Sequence, residues 1–268
     1  MKIAVRSSIG EWLNPIDAFW SCQLILGRNH SSGLEIGVYK GGWTTLILDN
    51  LPLTSMVGID PYPGLAEVRS IMETETSNHA KAGRFFHYET IDSCPANPTY
   101  DFIHIDGEHS EEAVMKDLLF SYSKLNDGGM IIVDDFMSRM FPGITAQTIL
   151  LAFQLDLKPV LITQSKIYLV KNENWSSYYN DVLEISKKFA TGVSGTYQNG
   201  LYGESYIQNG KILGVKVYVQ PPLPNWKIRN LLEQKAQIID LLKSARYFLT
   251  PPIFHILISL LLKTFKIN

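Results

Sequence analysis

A doubly wound α/β sheet, mostly parallel and closed by an antiparallel hairpin, is the fold class this sequence predicts. Three observations carry that reading. Strand-like and helix-like segments alternate from about residue 33 to 171. A glycine-rich turn, Gly37 to Gly42, joins the first strand to the first helix. Two apolar runs rich in β-branched residues, Asp101 to His109 and Gly128 to Phe136, each end in carboxylates.

Composition narrows the classes. The 268 residues are 46% hydrophobic, which suits one large α/β domain with an appendage and argues against disorder. A net charge of −2 and the absence of a Lys/Arg run give no footprint for nucleic acid. Cys22 and Cys94 lack metal spacing and read as two reduced thiols of a cytosolic protein. The first residues lack the basic-then-apolar pattern of a secretory signal, so a cytoplasmic location is expected.

The elements follow in order. Trp12, Ile16, Phe19, Trp20 and Leu24 have helical spacing, stopped at Gly27. Residues 1–30 thus form an N-terminal helical segment. Leu34 to Val38 is the first strand, and Trp43 to Leu51 a helix ended by Pro52. Met56 to Asp60 is the second strand, and Leu65 to His79 a helix. Arg84 to Tyr88 is the third strand, followed by Glu89-Thr90. Between the two carboxylate-ended strands, Ser110 is an N-cap with acids behind it, and apolar residues 114, 115, 118 and 119 share one face. Ile144 to Leu155 is helical, and Pro159 to Ile162 with Ile167 to Val170 form the closing hairpin about Gln164-Ser165. Trp175 to Phe189 reads as a helix, Ile212 to Val219 as a strand and Asn225 to Arg246 as an amphipathic helix. Residues 31–190 form the main domain; residues 191–268 form an extension acting as lid, oligomer contact or interfacial helix. Its apolar run beyond Pro252, with Lys263 and Lys266, is about half the roughly 20 residues of a spanning helix. Two readings stay open for 252–266: a peripheral membrane contact, or a helix packed on a partner subunit of a homo-oligomer.

Chemistry concentrates at the strand ends. A strand–helix–strand unit sets its strands parallel, so Asp106, Asp134 and Asp135 converge at the sheet's carboxyl edge, where open α/β sheets bind ligands. Three carboxylates in one crevice repel one another unless protonated or bridged by a cation. An all-oxygen set suits Mg²⁺ or Mn²⁺. The simpler reading makes one aspartate a helix cap and another a solvated side chain. Gly37, Gly41 and Gly42 let backbone approach a nucleotide, and Asp60, ending the second strand, suits the ribose hydroxyls of an adenosine cofactor. Asp60 before Pro61 is otherwise a turn former.

Four runs in order resemble a known family. They are Leu34-Glu35-Ile36-Gly37-Val38-Tyr39-Lys40-Gly41-Gly42, Val57-Gly58-Ile59-Asp60-Pro61, Ile105-Asp106-Gly107-Glu108-His109-Ser110 and Gly128 to Phe136. Phe141-Pro142-Gly143-Ile144 has the same look. The chain from about 33 to 171 resembles class I S-adenosylmethionine-dependent methyltransferases, with their Rossmann-like sheet. Within them it is most similar to the macrocin O-methyltransferases of sugar modification. The resemblance covers about half the chain and excludes 172–268.

It implies that S-adenosyl-L-methionine is the cofactor, with Glu35, Gly37, Gly41 and Gly42 at its methionine end. Asp60 would take the ribose and Thr90 lie against the adenine. Asp106 would border the cofactor and, with Asp134 and Asp135, hold Mg²⁺ or Mn²⁺. Catechol-type relatives often have Asn as the last ligand, so Asp135 points to the sugar-acting branch. Their lysine three positions after the first metal ligand is His109 here, and an acid found in some members is Glu108; either is the expected base. His104, in mid-strand, reads as a buried, hydrogen-bonded core residue. The expected activity is metal-dependent O-methylation of a sugar hydroxyl on a glycan or glycosylated metabolite. The rivals are a catechol-like or other small-molecule O-methyltransferase, and a non-catalytic adenosine-binding module.

Overall fold

The computed structural model of the chain describes residues 15–95, 98–163, 165–196, 208–212 and 215–219. The expected helix start at Trp12, the helix over 225–246 and the apolar run over 252–266 lie outside these residues. The chain divides into two compact units, Met1–Asp134 and Asp135–Asn268.

The first unit runs α1 (Pro15–Gly27), β1 (Ser32–Ile36), α2 (Gly42–Asn50), β2 (Ser55–Ile59), α3 (Ala66–Lys81), β3 (Phe85–Tyr88), β4 (Tyr100–Ile105), α4 (Glu111–Lys124) and β5 (Leu125–Val133). Its strands lie in the order β3-β2-β1-β4-β5, all pairs parallel. The chain therefore winds outward from β1 to β3, then returns to β4 on the other side. This is the doubly wound, Rossmann-like arrangement, with its topological switch between β1 and β4. The β-branched and aromatic strand residues form the core: Leu34, Met56, Phe102, Ile103 and Ile131 are all inaccessible to solvent. Apolar burial on this scale supplies the driving force.

Ser110 caps α4 as expected, its Oγ accepting from the Ala113 amide at 3.3 Å. The helix face departs from the expectation. Val114, Asp117, Leu118 and Ser121 are buried, whereas Met115 and Leu119 are 38% and 44% exposed. A helix covering a sheet hides one stripe, and positions 114, 117, 118 and 121 define it. The apolar pairs at 115 and 119 sit a step around the helix.

The second unit holds α5 (Pro142–Gln154), β6 (Leu157–Ile162), β7 (Ile167–Lys171), α6 (Trp175–Thr196), β8 (Gln208–Ile212) and β9 (Val215–Val219). Strand order is β7-β6-β9-β8. The expected antiparallel hairpin is β6–β7, closed by the Thr163 amide donating to Lys166 O at 2.9 Å. The Trp175 indole donates to Pro159 O and pins the start of α6. Of the strand expected over 212–219, residues 215–219 form β9, while Ile212 ends β8, which pairs antiparallel with β9. No helix among the described residues is long and apolar enough to cross a membrane.

At the edge opposite the strand ends, Asp101 ties three strands together. Its carboxylate accepts from the Ser31 and Ser32 amides at 2.8 and 3.0 Å and from Asn126 Nδ2 at 2.8 Å. Burial alone would raise its pKa, but these hydrogen bonds outweigh burial and lower it to about 2. A lowered folded pKa stabilises the fold above the usual carboxylate pKa, and the gain fades as pH falls through the folded value. Asp101→Ala should therefore cost about 1–3 kcal/mol at neutral pH through the orphaned amides. Denaturant melts of both proteins should show the gap closing toward pH 2.

Candidate functional site

The backbone ladder of the first unit continues one residue beyond β1, β2, β4 and β5. The Gly37 amide donates to Ile59 O, Asp60 to Tyr88 O, Asp106 to Ile36 O and Asp134 to Ile105 O, all at 2.8–3.0 Å. Each residue that the sequence marks for chemistry in this unit's strand ends is thus held by the neighbouring strand. At the switch between β1 and β4, Gly37 has φ +85°, and a Cβ there would lie 1.9 Å from Asp106 O. Only glycine fits both the conformation and the space. Gly41, also left-handed at φ +84°, caps the start of α2, and Gly42 opens that helix.

Asp60 is a clamp on this turn. Its Oδ2 accepts from the Val38 and Tyr39 amides at 3.0 and 2.9 Å, and its Oδ1 from the Tyr62 amide at 3.0 Å. Both the turn-forming role and a site role are compatible with a carboxylate, which has about four acceptor positions. Tyr39 and Tyr62 adopt left-handed backbone, φ 50° and 48°, and the Tyr62 hydroxyl donates to Tyr39 O at 2.6 Å. Strained backbone of this kind persists where surrounding contacts over-determine it, which is common at ligand sites. Thr90 is exposed beyond β3 and exchanges capping hydrogen bonds with Ser93.

Behind the strand ends runs a buried polar row. Glu35 and His104, paired in register on β1 and β4, are 1% and 0% exposed. Thr44 Oγ1 donates to Glu35 Oε2, and His104 Nδ1 lies 3.1 Å from Glu35 Oε1. The carboxylate of Glu35, expected beside the cofactor, is thus engaged with Thr44 and His104. Trp43, in the first turn of α2, stacks on the His104 ring with centroids 3.9 Å apart. His104 Nε2 is 3.8 Å from Asp134 Oδ2. His104 is the buried, hydrogen-bonded residue expected, and it also reaches the carboxylate edge.

Asp106, Asp134 and His104 each present a ligand atom within 4.8 Å of the others. Two anionic donors and one imidazole in so small a volume suit a divalent cation, so the residues present fit such an ion. Asp134 ends the first unit. Asp135 opens the second, with φ 50° and its carbonyl accepting from the Ser138 amide at 2.9 Å. Met137 is likewise left-handed, and its amide donates to Thr145 Oγ1.

The two expected bases differ in placement. His109 is a third exposed and places Nε2 4.0 Å from Asp106 Oδ1. Glu108 is exposed, and its charge is felt by Asp117. Asp117 is a residue that sequence reasoning passed over. It is 7% exposed, and a Cβ on Gly107 would lie 2.9 Å from its Oδ2. Its position in the 114–117–118–121 stripe is the signal that could have found it. Elsewhere, Cys22 is buried, which pushes its thiol up to about 12, and Cys94 Sγ lies 3.4 Å from the Tyr100 hydroxyl. Both cysteines are free thiols.

Comparisons with known proteins fit this geometry. Residues 34–136 match the profile of a family described as a methyltransferase domain. An uncharacterised protein of Acanthamoeba polyphaga mimivirus is 28% identical over 113 residues, covering 38% of this chain and 50% of that protein. The chain thus spans half the length of that curated relative. Among solved structures, one from Staphylococcus aureus assigned as a caffeoyl-CoA O-methyltransferase superposes with a TM-score of 0.51 at 15% identity. It covers 61% of this chain and 91% of that one. The O-methyltransferase from Bacillus cereus in complex with SAH gives 0.48 at 14% identity, covering 62% and 84%. The fold is the Rossmann-like fold of the Staphylococcus aureus structure.

Burial pushes the Asp117 carboxyl up to about 6; the Glu108 charge adds to the rise and Lys116 opposes it. A raised folded pKa favours the fold fully below the ordinary carboxylate value, and the gain is lost as pH rises through about 6. Relative to Asp117→Asn, the wild type should lose about 1–3 kcal/mol between pH 4 and 7. Urea titrations of the pair at each pH check this; a pH-independent difference would be the contrary result.

Proposed function

We propose that this chain is an S-adenosylmethionine-dependent, divalent-metal-dependent O-methyltransferase acting on a sugar hydroxyl of a glycan or glycosylated metabolite. The observation that carries the proposal is the close approach of Gly37 to Asp106. It sets the turn suited to a nucleotide cofactor beside Asp106, one of the carboxylates suited to a cation.

In this reading the Gly37–Gly42 turn cradles the methionine end, and Asp60 takes the ribose with its remaining acceptor capacity. The cofactor supplies an electrophilic methyl carbon on sulfur. Asp106 and Asp134 would hold the ion, Mg²⁺ or Mn²⁺, and Asp135, next in the chain, is the third carboxylate of the expected set. A divalent ion there supplies Lewis acidity and a fixed place for the acceptor oxygen. His109 takes the acceptor's proton. Its Nε2 lies 4.0 Å from Asp106 Oδ1, and imidazole is the side chain most often used as a general base. Glu108, exposed, is the weaker candidate.

Turnover with an acceptor panel of sugars, glycosides and catechols, with and without metal, tests the activity and separates its rivals. EDTA should abolish turnover, and Mg²⁺ or Mn²⁺ should restore it. Asp134→Asn should leave cofactor affinity nearly intact and lower turnover about a hundredfold or more. Full activity in EDTA would remove the ion from the reading. His109→Ala should cost about 10²–10⁴-fold in kcat, and Glu108→Ala less than about tenfold; the reverse order would exchange their roles.

Asp60→Ala alone does not isolate the ribose contact, because Asp60 also clamps the turn. The wild type should bind S-adenosylhomocysteine about tenfold or more tightly than its 2′-deoxy analogue. Asp60→Ala should bind the two alike in calorimetric titration. Discrimination that survives the substitution would assign the ribose to another residue.

A further inference from the structure

We propose that His104 is a nitrogen ligand of the ion held by Asp106 and Asp134, with Glu35 as the carboxylate behind it, so that the site takes Mn²⁺ in preference to Mg²⁺. The inference rests on the metal reading given above and goes beyond the all-oxygen set that the sequence suggested.

Distance decides the first step. His104 Nε2 and Asp134 Oδ2 are 3.8 Å apart. That is too long for an N–H···O hydrogen bond, which spans about 2.7–3.2 Å. It is shorter than twice a metal–nitrogen or metal–oxygen bond of about 2.1 Å, so the two atoms are spaced for one ion to reach both. Asp106 offers a third ligand atom within 4.8 Å of the other two.

Orientation decides the second. A carboxylate oxygen only accepts, so the Glu35 Oε1 contact places the proton on Nδ1 and turns the lone pair of Nε2 toward Asp134. Trp43 covers one face of the ring at 3.9 Å and hinders its rotation. Thr44 fixes the other oxygen of Glu35. Carboxylate, imidazole and ion would then form the carboxylate–histidine–metal series that sets tautomer and basicity in histidine metal sites.

The chemistry decides the third. Mg²⁺ prefers oxygen and keeps water, whereas imidazole suits later divalent ions such as Mn²⁺, Fe²⁺ and Co²⁺. A fully buried imidazole on β4, two residues before the aspartate just past that strand's end, is a structural investment that an oxygen-only site does not need.

Mn²⁺ binding to the full chain, followed by loss of the free-ion EPR signal with Mg²⁺ as competitor, tests this without reference to activity. Mn²⁺ should bind about tenfold or more tightly than Mg²⁺. Pulsed EPR of bound Mn²⁺ should show ¹⁴N coupling that persists in His109→Ala and is lost in His104→Gln. Glu35→Gln should weaken Mn²⁺ binding about 10–100-fold. Because a buried substitution at 104 can unfold the chain, the spectra of wild type and His109→Ala decide the matter. Bound Mn²⁺ without nitrogen coupling, and with Mg²⁺ equally tight, would overturn His104 as ligand while leaving the carboxylate site standing. Binding of neither ion would overturn the metal reading itself.

Discussion

The site depends on one contact between backbones. Gly37 lies so close to the Asp106 carbonyl that no side chain fits between them. The contact falls where strand order changes direction, at the carboxyl end of the β1–β4 ladder. Neighbouring-strand carbonyls then hold Asp60, Asp106 and Asp134 by their amides. The positions of the carboxylates are consequences of the sheet, while their loops contribute the fine aim.

A second constraint lies beneath. Glu35 and His104 are charged or polar groups without solvent access, and such burial is costly unless the groups satisfy one another. Here they do, with Thr44 completing the set and Trp43 excluding water from the ring face. A network of this kind contributes little net stability but tolerates few alternative packings, which suits a residue that must present one nitrogen in one direction.

The sheet was legible in the sequence because its signals are local and redundant. Glycines, β-branched runs and strand-end acids repeat in the order that the topology needs. In the first unit only the edges of strands and helices moved, by a few residues. The α4 face was misjudged because apolar identity at 115 and 119 says nothing of which stripe meets the sheet. The wider role of His104 was hidden for a different reason. Its partner Glu35 lies 69 residues away, and only the pairing of β1 with β4 brings them together. Asp117 was hidden because an acid on a helix reads as solvated until its stripe is known. The clamp made by Asp60 shows a third limit: one residue serves the fold and the site together, and sequence cannot divide the two roles.

Tyr39 and Tyr62 carry a further consequence. Left-handed backbone at a non-glycine residue costs about 1–2 kcal/mol, and here two such residues are joined by a hydroxyl-to-carbonyl bond across the mouth of the turn. Tyr62 is buried, so glycine there would relieve the backbone but empty a core position, whereas Tyr39 is 48% exposed. A laboratory selection for heat resistance would therefore find glycine attractive at Tyr39, where the same change would delete an exposed phenol and loosen the turn. Thermal hardiness and order of the turn pull in opposite directions at that tyrosine, and variants that gain one would be expected to surrender part of the other.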